Sequence, residues 1–201
     1  MSGSALPSDY AFVLLAAGRG ARFGEGKLLA ELCGKPLCRW ALDSALTAGF
    51  EVIHVVSNDP QIAAACEGSG VNFHSNPDAA EGIASSIAVA VRATLPAPRT
   101  VIGLADMPFV QPEQLRRLAL ARPTAFTRHP DGRRGVPAAF SREDRLRLLT
   151  LEGDRGAASL TWSEAAEFDP GDPEDCFDVD TPAALDQARL IALRRWPAAC
   201  R

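Results

Sequence analysis

The sequence of 201 residues is poor in four things: positive charge, histidine, long apolar runs and closely spaced cysteine pairs. Its formal net charge is −4, whereas a nucleic-acid surface needs clustered positive charge, so no nucleic-acid partner is expected. No apolar window reaches the length of a bilayer span, so no membrane association is expected. The stretch Met1 to Asp9 has neither a basic start nor an apolar centre, which argues against a secretory leader and for a cytoplasmic protein. The five cysteines (Cys33, Cys38, Cys66, Cys176, Cys200) are odd in number and contain no Cys-x-x-Cys pair. Reduced thiols are therefore expected rather than disulfides or a zinc site. The three histidines, His54, His74 and His129, make a poor catalytic set and are expected to be structural or exposed. No internal repeat is present. With 47% apolar residues, the chain reads as a flexible start over 1–10 and a single domain over 11–197.

What the chain does have is a glycine-rich loop fed by a buried strand. Phe12 to Ala16 is unbroken apolar sequence, suited to a strand buried on both faces of a parallel sheet. It runs into Gly18, Gly20, Gly24 and Gly26, with Arg19, Arg22 and Lys27 among them. Glycines allow close backbone approach, and amides flanked by cations suit a polyphosphate. The loop is not a P-loop, because Leu28 follows Gly26-Lys27 and Ala21 stands where the first glycine belongs. It also fits a dinucleotide fingerprint poorly, since Phe23 replaces the third glycine of Gly18-x-Gly20.

Beyond the loop, Pro36 reads as a first helical residue. Leu37, Trp40, Ala41, Ser44, Ala45 and Ala48 share one face, and Gly49 stops the helix. Glu51 to Val56 and Val71 to His74 read as strands, with a short helix from Asp59-Pro60 between them. A helix after Gly82 buries Ile83, Ile87, Ala90 and Val91, and its first turn is expected to offer free amides beside Ser85 and Ser86. Thr100 to Ala105 is a further buried strand delivering Asp106 at its carboxyl end, where open α/β sheets bind ligands. Thr124 to Arg128 and Val136 to Phe140 read as strands, and Ser141 as the cap of a helix carrying Leu146 and Leu149. Cys176 to Asp180 reads as the end of a late strand. Asp178 and Asp180 would then point to opposite faces, and Asp180, nearer the strand end, would share a metal with Asp106. Alternating strands and helices imply a mainly parallel sheet.

Taken together, these pieces resemble the MobA-like nucleotidyltransferases, and most closely the molybdenum cofactor cytidylyltransferases. The resemblance rests on five blocks in order. They are Leu15-Ala16-Ala17-Gly18 with Arg22, Gly24 and Lys27-Leu28-Leu29; Asn76 through Ser86; Ala105-Asp106-Met107-Pro108; Gly153-Asp154-Arg155-Gly156-Ala157; and Asp178-Val179-Asp180-Thr181-Pro182.

It implies a three-layer α/β/α Rossmann-like nucleotidyltransferase fold with a mainly parallel mixed sheet. The nucleotide would be held by about residues 11–110 and the acceptor by about 111–197. It implies nucleotide binding by Leu15, Ala16, Ala17, Gly18, Arg22, Lys27, Gly82 and Ser86. Arg22, Lys27 and Asp106 would be catalytic, and Asp106 and Asp180 would hold Mg2+ or Mn2+. The donor would be CTP, with GTP or another NTP as the alternative, since cytidylyl members tend to carry Ala at the position of Ala17. The acceptor would be the phosphate of molybdopterin, with a molybdoenzyme as a possible recipient of the product. Two departures leave the acceptor open: Val136 stands where the family often has His, and Ala158 where it often has Arg. Competing readings are a sugar nucleotide-forming transferase, a glycosyltransferase using Asp178-Val179-Asp180, an NAD(P) oxidoreductase and a non-catalytic escort for a pterin cofactor.

Overall fold

A computed structural model describes residues 5–18, 23, 24, 26–68 and 70–200. Seven strands form one sheet in the order β5-β4-β1-β6-β8-β7-β9. They are β1 (Ala11–Leu15), β4 (Val52–Val56), β5 (Val71–His74), β6 (Arg99–Leu104), β7 (Thr124–Arg128), β8 (Arg134–Ser141) and β9 (Ala165–Phe168). Two short strands, β2 (Glu31–Leu32) and β3 (Lys35–Pro36), pair with each other outside it. β1, β4, β5 and β6 run parallel; β8 is antiparallel to β6 and β7, and β9 is parallel to β7.

The alternation of β1 builds two cores. Phe12 and Leu14 join the layer of α1 (Leu37–Ala48), α4 (Pro112–Leu120) and α6 (Pro182–Arg195). Val13 and Leu15 join that of α3 (Ile83–Ala93) on the other side. This is the expected three-layer arrangement with a mainly parallel mixed sheet. The shorter helices are α2 (Pro60–Ala65), capped by Asp59 accepting from the Gln61 amide, and α5 (Arg142–Arg147), capped by Ser141 accepting from the Asp144 amide. Such caps satisfy first-turn amides that the helix itself leaves open.

Several local expectations change. Pro36 is the cap of α1 and part of β3 rather than a helical residue. Leu146 and Leu149 are exposed, while Arg145 and Leu148 are fully buried. Arg145 can enter because its two terminal nitrogens donate to Thr100 Oγ1, Thr94 O and Ala97 O, while its Nε is left without a partner among the described residues. The segment Cys176 to Asp180 is not a strand. Pro173–Cys176 forms a 3-10 turn, and the following residues dock by the Val179 amide donating to Asp106 O at 3.0 Å. Leu6 and Tyr10, inside the expected flexible start, pack into the core, while residues 1–4 lie outside the described residues.

The cysteine expectation fails at one pair. Cys33 and Cys200 form a disulfide across 167 residues of sequence, and Cys38, Cys66 and Cys176 are free and buried. The pairing follows from folding: Trp196, just past α6, stacks on Trp40 of α1 at 4.2 Å between ring centroids. Among the described residues no helix is long and apolar enough to cross a membrane.

Candidate active site

The site lies beyond the carboxyl ends of β1 and β6, neighbouring parallel strands. A left-handed Gly26 (φ 76°) opens the 3-10 turn Lys27–Leu29, a backbone region that glycine enters without a side-chain clash. That turn aims Lys27 across the strand ends. Its ammonium donates to Asp106 Oδ2 at 2.6 Å and to Asp180 Oδ1 at 2.9 Å, so both carboxylates converge on one point. The Lys27 side chain is 9% exposed. Burial works to lower its pKa, but the two ionic hydrogen bonds outweigh that, and the ammonium is held above its ordinary value.

Asp180, not Asp178, meets Asp106 at this point. Asp178 lies close enough to feel both: burial first, then the negative charges of Asp180 and Asp106, hold its carboxyl above the usual range. One oxygen, Asp106 Oδ1, is buried without a hydrogen-bond partner among the described residues. Two converging carboxylates and an orphaned anionic oxygen suit a hard divalent cation, which prefers oxygen ligands. No group of three or more His, Cys, Asp or Glu side chains gathers among the described residues. The protein would therefore contribute two carboxylates, leaving other positions to phosphate oxygens and water, which suits Mg2+.

Lys27 and Asp106 border a cleft of about 330 Å3 that also touches Leu15, Ala17, Gly18, Gly82 and Ser86. An adjoining hollow of about 250 Å3 carries Ala16, Gly24, Gly26 and Asn58. Of the first loop, Leu15 and Ala16 have less to offer than expected. Leu15 O accepts from the Ala105 amide, and the Ala16 amide donates to Val56 O, so the sheet uses both groups. Ala17 and Gly18 are where the loop meets the cleft. Arg22, together with Arg19, lies outside the described residues.

The start of α3 also differs from expectation. The Ala84 amide donates to Gly153 O and the Ser85 amide to Gly82 O, so these first-turn amides are already occupied. Buried Ser86 accepts from Asn76 Nδ2 at 2.9 Å, which orients its hydroxyl on the cleft wall. Gly82 sits at φ 106°, where a Cβ would fall 2.4 Å from the Gly153 carbonyl and 2.7 Å from Asp154 Oδ1. That close approach fastens the turn at 153–156 to α3 and places Asp154 in the cleft. Sequence reasoning included Asp154 only within a block, although an acid between Gly153 and Gly156 was a visible signal. The histidines stand apart: His54 Nδ1 and His74 Nε2 share a 2.8 Å hydrogen bond, and His129 Nε2 bonds Val136 O.

A family model for the MobA-like NTP transferase domain matches residues 12–167. The chain belongs to this family. It is 31% identical over 155 residues to 3-deoxy-manno-octulosonate cytidylyltransferase of Anaeromyxobacter sp. (strain Fw109-5), a match covering 76% of this chain and 62% of that protein. It is 29% identical over 195 residues to the purine catabolism protein PucB of Bacillus subtilis (strain 168), covering 88% of this chain and 94% of that one. Its fold superposes with a TM-score of 0.82 on a nucleotidyl transferase from Methanothermobacter thermautotroptrophicus (Mth528), at 22% identity over 92% of this chain and 98% of that one.

Proposed function

We propose that this MobA-like chain transfers a nucleotidyl group, CMP from CTP, to a phosphate-bearing acceptor and releases pyrophosphate. The acceptor implied by the family blocks is molybdopterin. The observation that carries the reading is the meeting of Asp106 and Asp180 at Lys27, beside a glycine-lined cleft at the strand ends. The cytidylyltransferase among the relatives, together with Ala17, supports CTP as the donor.

In the reaction, an acceptor phosphate oxygen attacks the α-phosphorus of CTP and the bond to the β-phosphate oxygen breaks. A phosphate nucleophile is already anionic near neutrality, so the absence of histidine from the cleft is no obstacle. Ala17, Gly18, Gly82 and Ser86 line the space for the nucleotide. Lys27, a point charge on a flexible stem, would balance charge growing on the α-phosphate and the departing pyrophosphate. Arg22 is proposed to clamp the triphosphate bidentately. Asp106 and Asp180 would hold Mg2+ or Mn2+, which as a Lewis acid polarises phosphate oxygens.

Asp106→Asn is the direct test. It keeps the shape of the side chain and removes the charge aimed at the cation. Pyrophosphate release from CTP with molybdopterin should fall by about 10²–10³-fold, with the folded circular-dichroism spectrum retained and the melting temperature lowered by the loss of one Lys27 ion pair. Release at the wild-type rate would end this assignment. A different phosphate acceptor is a second reading, and one observation favours it: Val136 and Ala158 line an apolar recess against the cleft.

A further inference from the structure

On the acceptor side of the cleft the wall opens into a recess of about 160 Å3. Its floor is the fully buried Phe126, Phe140, Ile102 and Leu148. Its rim is the half-buried Val136 and Ala158, and it shares Leu15, Ile83 and Leu104 with the cleft beside Asp106. Among the described residues no charged side chain lines it. A hollow of this size that opens into the cleft leaves its hydrocarbon lining facing water, and an apolar occupant would remove that surface from water.

We infer that the acceptor is a phosphate monoester carrying a compact apolar group, aliphatic or aromatic, and that this group seats in the recess while the phosphate faces Asp106 and Lys27. The inference rests on the nucleotidyltransferase reading and takes the second acceptor class over molybdopterin. The physical ground is selection by desolvation. Polar edges such as those of a sugar or a pterin would lose their hydrogen bonds to water on entering and find no partner among these side chains. A hydrocarbon group loses nothing and removes apolar surface from water. The two departures at Val136 and Ala158 are thus one feature: each puts an apolar side chain at the rim where the family often has a hydrogen-bonding one.

The test uses the full chain with Mg2+ and a non-hydrolysable CTP analogue, titrated calorimetrically with phenyl phosphate, isopentyl phosphate, ribose 5-phosphate, glycerol 3-phosphate and molybdopterin. The two apolar esters should bind at least about tenfold more tightly than the others. Ala158→Leu, which fills the recess, should abolish that preference, and Val136→Phe should do the same if the first variant does not fold. With CTP itself, pyrophosphate release should follow the same order. Equal binding of all five, tighter binding of molybdopterin, or an undiminished preference in both variants would overturn the recess and leave the transferase standing. Failure of the CTP analogue to bind at all would overturn both.

Discussion

Replacing Lys27 with Met removes the group that, among the described residues, joins the two carboxylates. Its ammonium is within 2.9 Å of both, and the Asp106 and Asp180 side chains are 18% and 35% exposed. Deleting one partner of a fully buried pair costs about 3–5 kcal/mol, because the remaining charge stays desolvated. Asp180 keeps more than a third of its surface in water, which screens its charge, so about 2 kcal/mol is expected here. For a chain of this length that corresponds to a fall in melting temperature of about 4–8 °C. The deficit should appear in a chelator and shrink when Mn2+ is added, since a divalent ion neutralises the same carboxylates. Pyrophosphate release should fall by about 10²–10³-fold, the cost of losing one preorganised charge at a developing anion. The assay is thermal melting in chelator and in Mn2+, paired with pyrophosphate release on the same preparation. An unchanged melting temperature in chelator, with turnover close to wild type, would refute the argument.

Gly82→Ala should lower CTP affinity by about tenfold in calorimetry, because the new Cβ meets the Gly153 carbonyl and Asp154 and levers the 153–156 turn away from the cleft; unchanged affinity would disconnect that turn from the nucleotide. Cys33→Ser should cost about 2–4 kcal/mol in denaturant unfolding, a loss that a dithiol reductant reproduces in the wild type and not in the variant; equal midpoints with and without reductant would contradict it. Burial, and secondarily the neighbouring His74, lowers the His54 pKa from 6.5 to about 4. The unfolded chain then binds more protons than the folded one between those values. Stability should therefore rise by up to about 3 kcal/mol from pH 4 to pH 6.5 and gain nothing further from this group above that. His54→Gln should flatten this part of the profile in urea unfolding, and an unflattened profile would assign it to other groups.

The sequence was readable where local chemistry and tertiary demand agree. Val71–His74 and Thr124–Arg128 lie where the apolar pattern put strands, and Gly49 ends α1 in the left-handed conformation expected of it. That the loops carrying Lys27 and Asp106 lie at the same edge of the sheet was readable for a related reason. Both follow buried strands, and parallel neighbours deliver their loops to the same edge of a sheet. Reading failed where a distant partner decides. Nothing near Cys33 signals Cys200, and nothing in the sequence around Leu146 and Leu149 signals that those two leucines are exposed while Arg145 is buried. Asp178-Val179-Asp180 looked like a strand by alternation, but its backbone bonds the loop after β6, while the sheet takes Ala165–Phe168 as its last strand.

Val136 and Ala158 show the limit most clearly. Each was visible in the sequence as a departure from a family pattern, and each alone is a small apolar residue of no special meaning. One lies on β8 and the other in the 3-10 turn Ala157–Ser159, elements that meet only when the chain is folded. Brought together over Phe126 and Phe140, they form one continuous apolar surface beside the cleft that holds Lys27 and Asp106. Reversing one of them should therefore act on the acceptor and not on the donor. Val136→His would return a hydrogen-bonding group to the rim, and the preference for apolar phosphate esters should weaken by about tenfold, with CTP affinity unaltered. A variant that lost CTP affinity instead would place the recess on the nucleotide side of the cleft, and the division of the site into donor and acceptor halves would have to be redrawn.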